Sequence, residues 1–239
     1  MGKIVKIGKV LNHEDVSIEK KYWEHRFGLT YNIGKLDLNT KKVLDRFLKG
    51  INKGKILDNG CGNGRIKKYL EDNGWNTYGS DIAENAIKKA SKISPLNLVV
   101  SPSENLPFRN RIFEVVLSYR VLHSMTKKNR MKALREMDRV LKDKGVLLIS
   151  VQTADDIETI KEYKKYGVEV KDDKNSFIVD IEIDGKIIQR QKHFYTRKDL
   201  VDEIERNTHL EVVKIARVIE KAGWRDTSQA YWVVKAEKR

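Results

Sequence analysis

With 239 residues, 40% apolar and 34% charged, the chain has material for one sizeable core and no apolar run long enough to span a bilayer. Its single cysteine, Cys61, excludes an internal disulfide, argues against a cysteine-based zinc site and fits a reducing cytoplasm. The net charge of +14 favours anionic partners such as nucleic acid, although a lysine-rich solvated face explains it equally well.

Residues 1–15 read as a basic arm with a short strand, lacking the apolar core and cleavage site of a signal peptide. Val16–Phe27 reads as a helix closed by Gly28, with Ser17 as candidate N-cap. Its second half is aromatic and cationic. The plainer reading buries Trp23 and Phe27; the sharper one makes this helix a lid whose Arg26 pairs a carboxylate through its planar fork. Leu38–Leu48 puts Val43, Leu44, Phe47 and Leu48 on one helical face, and Gly50 and Gly54 stop it.

The next stretch, Lys55 to Arg65, is a short apolar strand ending in Asp58, then Gly60, Gly62 and Gly64 at alternate positions, then a helix carrying Ile66, Tyr69 and Leu70. Glycines here permit positive φ and let a ligand touch bare backbone. A dinucleotide fingerprint needs a glycine where Arg65 stands, and a phosphate loop needs Gly-Lys-Ser/Thr, which is missing. Trp75–Ser80 forms a second strand ending in Asp81, 23 residues after Asp58. An acid at that distance suits ribose hydroxyls, and it also suits a cap on the following helix, Glu84–Ser91. Strand three is Leu98–Val100, strand four Phe113–Ser118 and strand five Val146–Val151. The basic helix Lys127–Lys142 lies between the last two, and Asp143–Gly145 turns the chain.

The D-x-G-x-G-x-G pattern resembles motif I of the class I S-adenosylmethionine (SAM) methyltransferases, Asp81 matches their motif II acid, and Phe113–Ser118 resembles their Phe-Asp-Val-Val strand. Ser101-Pro-Ser-Glu-Asn-Leu-Pro-Phe108 is similar to their adenine loop, with Pro102 replacing the usual acid. The resemblance implies an α/β, Rossmann-like sheet of seven mostly parallel strands flanked by helices, with an antiparallel last strand and an inserted β-hairpin. It implies one domain over 1–239: arm and lid helices to 50, a SAM-binding core over 51–154, a substrate cap over 155–195 and the end of the core over 196–239. It implies SAM as cofactor, S-adenosylhomocysteine as product and no metal. The cofactor set so implied is Asp58, Gly60, Cys61, Gly62, Gly64, Asp81, Ile82, Ser103, Glu104, Tyr119 and Arg26.

In the last third, Asp155–Tyr166 reads as a charged helix. Phe177–Ile183, Asp184-Gly185 and Lys186–Phe194 read as a hairpin with a two-residue turn, either a stabilising flap or a substrate cap. Thr196 caps a helix over Arg197–Glu205; Leu210–Glu220 and Tyr231–Ala236 are the closing strands, and Gly223-Trp224 with Tyr231-Trp232 adds an aromatic face. The resemblance implies methyl transfer to an acceptor, with a base needed only if the acceptor must lose a proton. Tyr119, His123 and His193 are candidates for that base, without a choice among them. The absence of Asn/Asp-Pro-Pro-Tyr after strand four argues against exocyclic-amine methylation, and a lone cysteine inside the glycine loop argues against a covalent cysteine mechanism. The middle of the chain favours a small-molecule acceptor slightly. The alternative is tRNA: His123–Arg135 with its Thr-x-x-x-Arg run, His193-Phe-Tyr-x-x-x-x-Leu and the aromatic C-terminal strand resemble tRNA wobble-uridine carboxymethyl methyltransferases; a non-catalytic partner subunit with the same fold is the further alternative.

Overall fold

Apolar runs buried on both faces alternate with amphipathic segments of helical period, and the chain folds as an alternating β/α protein. The computed structural model describes residues 3–5, 16–28, 36–183, 185–221 and 228–239. β1 (Lys3–Val5), α1 (Val16–Gly28) and α2 (Leu38–Leu48) lead into β2 (Lys55–Asn59), α3 (Arg65–Asp72), β3 (Asn76–Asp81), α4 (Glu84–Ala90) and β4 (Leu98–Val100). β5 (Phe113–Tyr119), α5 (Lys127–Val140) and β6 (Leu141–Gln152) complete the central run. α6 (Ile157–Tyr166), β7 (Val168–Glu169), β8 (Ser176–Ile183), β9 (Lys186–His193), α7 (Arg197–Asn207), β10 (Leu210–Lys221) and β11 (Ser228–Lys238) follow.

Seven strands form one sheet in the order β10-β11-β6-β5-β2-β3-β4. β11 is antiparallel to both neighbours, and the β6–β5–β2–β3–β4 pairs are parallel, as the resemblance implies. Neighbouring residues face opposite sides. Leu57, Val116, Leu147 and Ile149 join Leu134 and Met137 of α5 and Leu200 of α7 in one core cluster, while Ile56, Val115, Leu117 and Leu148 join Leu44 and Phe47 of α2 in another. One boundary differs from expectation. β6 begins at Leu141 because Leu141 pairs with Phe113; the next pair is Val146 with Val115, so the Asp143–Gly145 turn is an interruption within the strand.

The inserted hairpin belongs to a second sheet. β8 pairs with β9 around the two-residue turn, of which Asp184 lies outside the described residues, and it also pairs with β1 and β7. Phe177, Val179 and Ile181 alternate inward, as expected, and join Ile4, Tyr22, Tyr163 and Phe194 in a third cluster. Gly223-Trp224 lies outside the described residues, as does the side chain of Ser17.

A buried cation ties this second sheet to the first. Arg130 of α5 is 1% exposed. Its guanidinium donates to both oxygens of Asp173 (2.9 and 2.8 Å), to Glu203 of α7 (3.2 Å) and to the Met125 carbonyl (3.1 Å). The Tyr195 hydroxyl donates to Glu203 at 2.7 Å, and the Ser176 hydroxyl donates to Asp173. A buried ion pair is costly to break because the surviving charge keeps its desolvation penalty. Arg130→Ala is therefore expected to lower unfolding free energy by about 3–5 kcal/mol. Urea denaturation measures this, and a loss below about 1 kcal/mol would mean that the network contributes little.

Candidate active site

At the carboxyl ends of the parallel strands lies a cavity of about 360 Å³, within the range of small-molecule sites. Its floor is the loop between β2 and α3. Gly60 and Gly62 stand at φ +77° and +55°, where other residues are strained. A Cβ on Gly62 would come within 3.1 Å of the Phe27 ring, and one on Gly60 would collide with Val121. Gly64, at φ +81°, starts α3, and its bare Cα admits Ala90 of α4; it packs helices together and is not part of the cavity wall.

Asp81, at the end of β3, lines the cavity. Its Oδ2 accepts the Gly62 amide at 2.8 Å and its Oδ1 accepts the Ala83 amide at 2.9 Å, so one carboxylate braces the glycine loop and the entry to α4 together. Burial lifts its pKa to about 6, and these amide bonds oppose the rise. Asp58 lies deeper, 1% exposed, below the loop and off the cavity wall. Burial, then the nearby Asp81 charge, pushes it up to about 7. Cys61, Ile82, Ser103, Glu104, Tyr119 and Arg26 all line the cavity with the glycines and Asp81. Burial raises the Glu104 carboxyl and the Tyr119 phenol, which leaves the phenol protonated at neutral pH.

The roof is α1, and here the expected packing helix is corrected. Tyr22 is the core residue, whereas Trp23 and Phe27 face the cavity with Glu19 and Arg26. The helix is fastened at its middle by Glu24, whose carboxylate accepts the backbone amides of Glu84 (2.6 Å) and Asn85 (3.0 Å). The N-cap position of α4 is Ala83, which supplies no side-chain cap, so a residue sixty positions before Glu84 caps the helix. Spacing rules look for caps beside the helix, and this one escaped them. They also missed Asp37, Thr40 and Asn129 on the cavity wall, whereas Arg120, expected near the reacting group at the end of the fourth core strand, does line it. Arg120 holds φ +64° directly after β5, with its guanidinium 4.1 Å above the Tyr231 ring. Its positive φ carries no sequence signal.

Of the three candidate bases only Tyr119 reaches the cavity wall. His123 is buried in the short turn after β5, and burial with the charges of Lys192, Arg190 and Arg120 holds it well below the usual imidazole range. His193 lies in the Arg130 network; the Ser176 hydroxyl is 2.8 Å from its Nδ1 and the Tyr195 ring 4.2 Å away. Among the described residues no cluster of His, Cys, Asp or Glu suits a metal, and no helix is long and apolar enough to cross a membrane.

A family model described as "Methyltransferase domain" matches residues 57–149. A protein of Methanocaldococcus jannaschii with no characterised function is 32% identical over 157 residues, 63% of this chain and 59% of that protein. A tRNA (carboxymethyluridine(34)-5-O)-methyltransferase of Arabidopsis thaliana is 38% identical over 116 residues, 47% of this chain and 28% of that one. The chain thus spans well under two thirds of the curated relatives it matches. In fold it is similar to the Burkholderia thailandensis 1,6-didemethyltoxoflavin-N1-methyltransferase with bound 1,6-didemethyltoxoflavin and S-adenosylhomocysteine. The TM-score is 0.67 and the identity 17%, over 99% of this chain and 94% of that one.

Burial, then the Arg130 charge, lowers the His193 pKa from 6.5 to about 3. The fold therefore holds this imidazole neutral. Its contribution to stability is complete above pH 6.5 and is lost as pH falls toward about 3. Urea midpoints from pH 7 to 4 should fall less steeply for His193→Gln than for the wild type; parallel curves would contradict the buried neutral histidine.

Proposed function

We propose that the chain, whose residues 57–149 match a methyltransferase-domain model, is a class I SAM-dependent methyltransferase and that it transfers the methyl group of SAM to a nucleotide of tRNA, releasing S-adenosylhomocysteine. The observation that carries the reading is the floor of the cavity: bare glycine backbone beside the Asp81 carboxylate at the carboxyl edge of a parallel sheet. The residues fit the cofactor. Asp81 carries the acceptor atoms that ribose hydroxyls need, and it ionises near pH 6, below neutrality. Ser103, Glu104, Ile82 and Met125 offer polar and apolar surface for a purine, while Gly60, Cys61 and Gly62 offer a close approach. Arg26, Arg120 and Asp37 supply both signs of charge for an amino-acid tail. Asp58 and Gly64 act through the shape of the loop.

SAM supplies, when bound, a methyl group already activated by its sulfonium. The work left to the chain is orientation and exclusion of water. α1 closes the cavity with Trp23 and Phe27, and the 155–195 segment stands behind α1 as a cap. Tyr119, protonated at neutral pH, serves as a hydrogen-bond donor. His123 and His193, away from the wall, stay neutral and structural.

The tRNA acceptor is supported by the 38% identity with the plant tRNA enzyme and by the net charge of +14. A small-metabolite acceptor is the second reading. The likeness to the toxoflavin-pathway enzyme over 99% of the chain favours it.

Two measurements test this. Calorimetric titration should show SAM binding that Asp81→Ala weakens by about tenfold or more, which is about 1.4 kcal/mol. Tritiated methyl transfer from SAM to unfractionated tRNA should occur at low salt and decline steeply as salt rises. Absence of SAM binding defeats the methyltransferase reading; SAM binding without any labelled tRNA moves the metabolite reading to the front.

A further inference from the structure

Helix α5 carries its charges against the grain of helix electrostatics. Residues 127–144 hold eight Lys or Arg against three Asp or Glu. The first turn of α5 opens with Lys127 and Lys128 and contains no acid, although the amino end of a helix is its positive end and favours anions. Lys128, Lys132, Arg135 and Arg139 then recur at i, i+4, i+7 and i+11. Like charges so spaced share one stripe of the helix, about 5–6 Å apart at Cβ, and repel one another.

Part of this charge has structural work. Arg130 is buried in its network, and Arg139 donates to Glu136 and to the carbonyls of Leu106 and Phe108. Lys128, Lys132 and Arg135 are exposed. Arg135 donates to the Asn207 side-chain oxygen at 3.1 Å, a neutral partner that leaves its charge in place. The stripe starts at the cavity. Met125 and Asn129 line the cavity wall on either side of the first turn, and Lys128 adjoins Asn129 in the chain. Burial raises the carboxyl of Glu104 on that wall, and the nearby charge of Lys132 opposes the rise. From Lys128 the stripe runs about 16 Å along the helix axis to Arg139. There Arg135 and Arg139 join Arg111 and Arg239 around a groove of about 950 Å³.

Among the described residues, none of the exposed large apolar side chains lies on α5 or on α7 beside it. A protein partner needs an apolar centre to its patch and a membrane surface needs apolar anchors, whereas a phosphate backbone needs neither. We infer that the outward stripe of α5 is the track for the RNA strand beside the target nucleotide, with Lys128, Lys132 and Arg135 on its backbone phosphates. This assignment rests on the tRNA reading above. Phosphates neutralise the repelling charges and place anions near the positive end of the helix, which accounts for both departures from helix electrostatics.

The test measures binding of unfractionated tRNA to the full chain saturated with S-adenosylhomocysteine, by filter binding across a salt series. One variant combines Lys128→Gln, Lys132→Gln and Arg135→Gln. Its control combines Lys42→Gln, Arg46→Gln and Lys49→Gln, exposed positions at α2, which packs on the opposite face of the sheet and loses the same charge. The α5 variant should bind tRNA about tenfold or more weakly at low salt, and its log–log salt slope should be shallower by about two, since each phosphate contact carries about 0.7–0.9. The control should lose less than about threefold. S-adenosylhomocysteine affinity and the urea midpoint should stay at wild-type values in the α5 variant. Purified tRNAs of different sequence should lose affinity alike, because phosphate contacts carry no sequence information. Equal losses in the two variants overturn the inference by reducing it to net charge. Unchanged affinity and slope in the α5 variant overturn it in favour of an acidic protein partner. A lowered urea midpoint with lost S-adenosylhomocysteine affinity overturns it by making the three cations structural. A wild type that binds S-adenosylhomocysteine but no tRNA at low salt defeats the tRNA reading and this assignment with it, and leaves the methyltransferase reading standing.

Discussion

One buried guanidinium, beside the backbone bonds of Tyr195 to Gln152 and Ala154, ties the hairpin to the main sheet. Arg130 reaches from α5 to Asp173 beside the hairpin and to Glu203 on α7, three parts of the chain that share no backbone pairing. With that cation in place, β8 and β9 have a fixed position against the main sheet. With β9 fixed, Arg190 has a fixed position, and Tyr22 and Trp23 of α1 settle against it. Charge-assisted bonds thus hold β9 in two places, through Arg130 with Asp173 beside the hairpin and through Arg190 with Tyr22 and Ser124 at the cavity. Such bonds are strong here because water is excluded from them.

Floor and roof are made differently. The floor is backbone: glycines in left-handed conformations, held by the Ser80 carbonyl, which takes the amides of Gly60 and Cys61, and by Asp81. The roof is side chains on a helix, held by Glu24 at one end of α4 and by Arg190. A rigid floor suits a ligand that every turnover needs in the same pose; a roof held by a few contacts suits whatever must enter, be recognised and leave.

The core was legible because its signals are local. Asp58, the three glycines and Asp81 announce themselves by spacing, and the strands by unbroken apolar runs; the antiparallel last strand followed from the resemblance. The β8–β9 hairpin was legible from alternation around Asp184-Gly185. What escaped were features made by distant partners. Glu24 capping α4 leaves no trace near residue 84, because the cap is missing there and supplied elsewhere. Gln189 to His193 form a polar run on the second arm of the hairpin, yet all five are buried. Partners such as Asp173, Asp180 and Tyr22 satisfy them, and these lie far along the chain or on the opposite strand. Trp23 and Phe27 were legible as apolar but not as cavity-facing, since periodicity identifies an apolar stripe without saying what it covers.

The attachment of α1 through Glu24 and Arg190 bears on how such proteins diversify. A helix joined to its neighbours by side chains, and lying outside the segment that matches the family, can change identity one residue at a time while the glycine loop goes on working. Descendants of one ancestor can then part ways in what they modify and keep the same methyl donor.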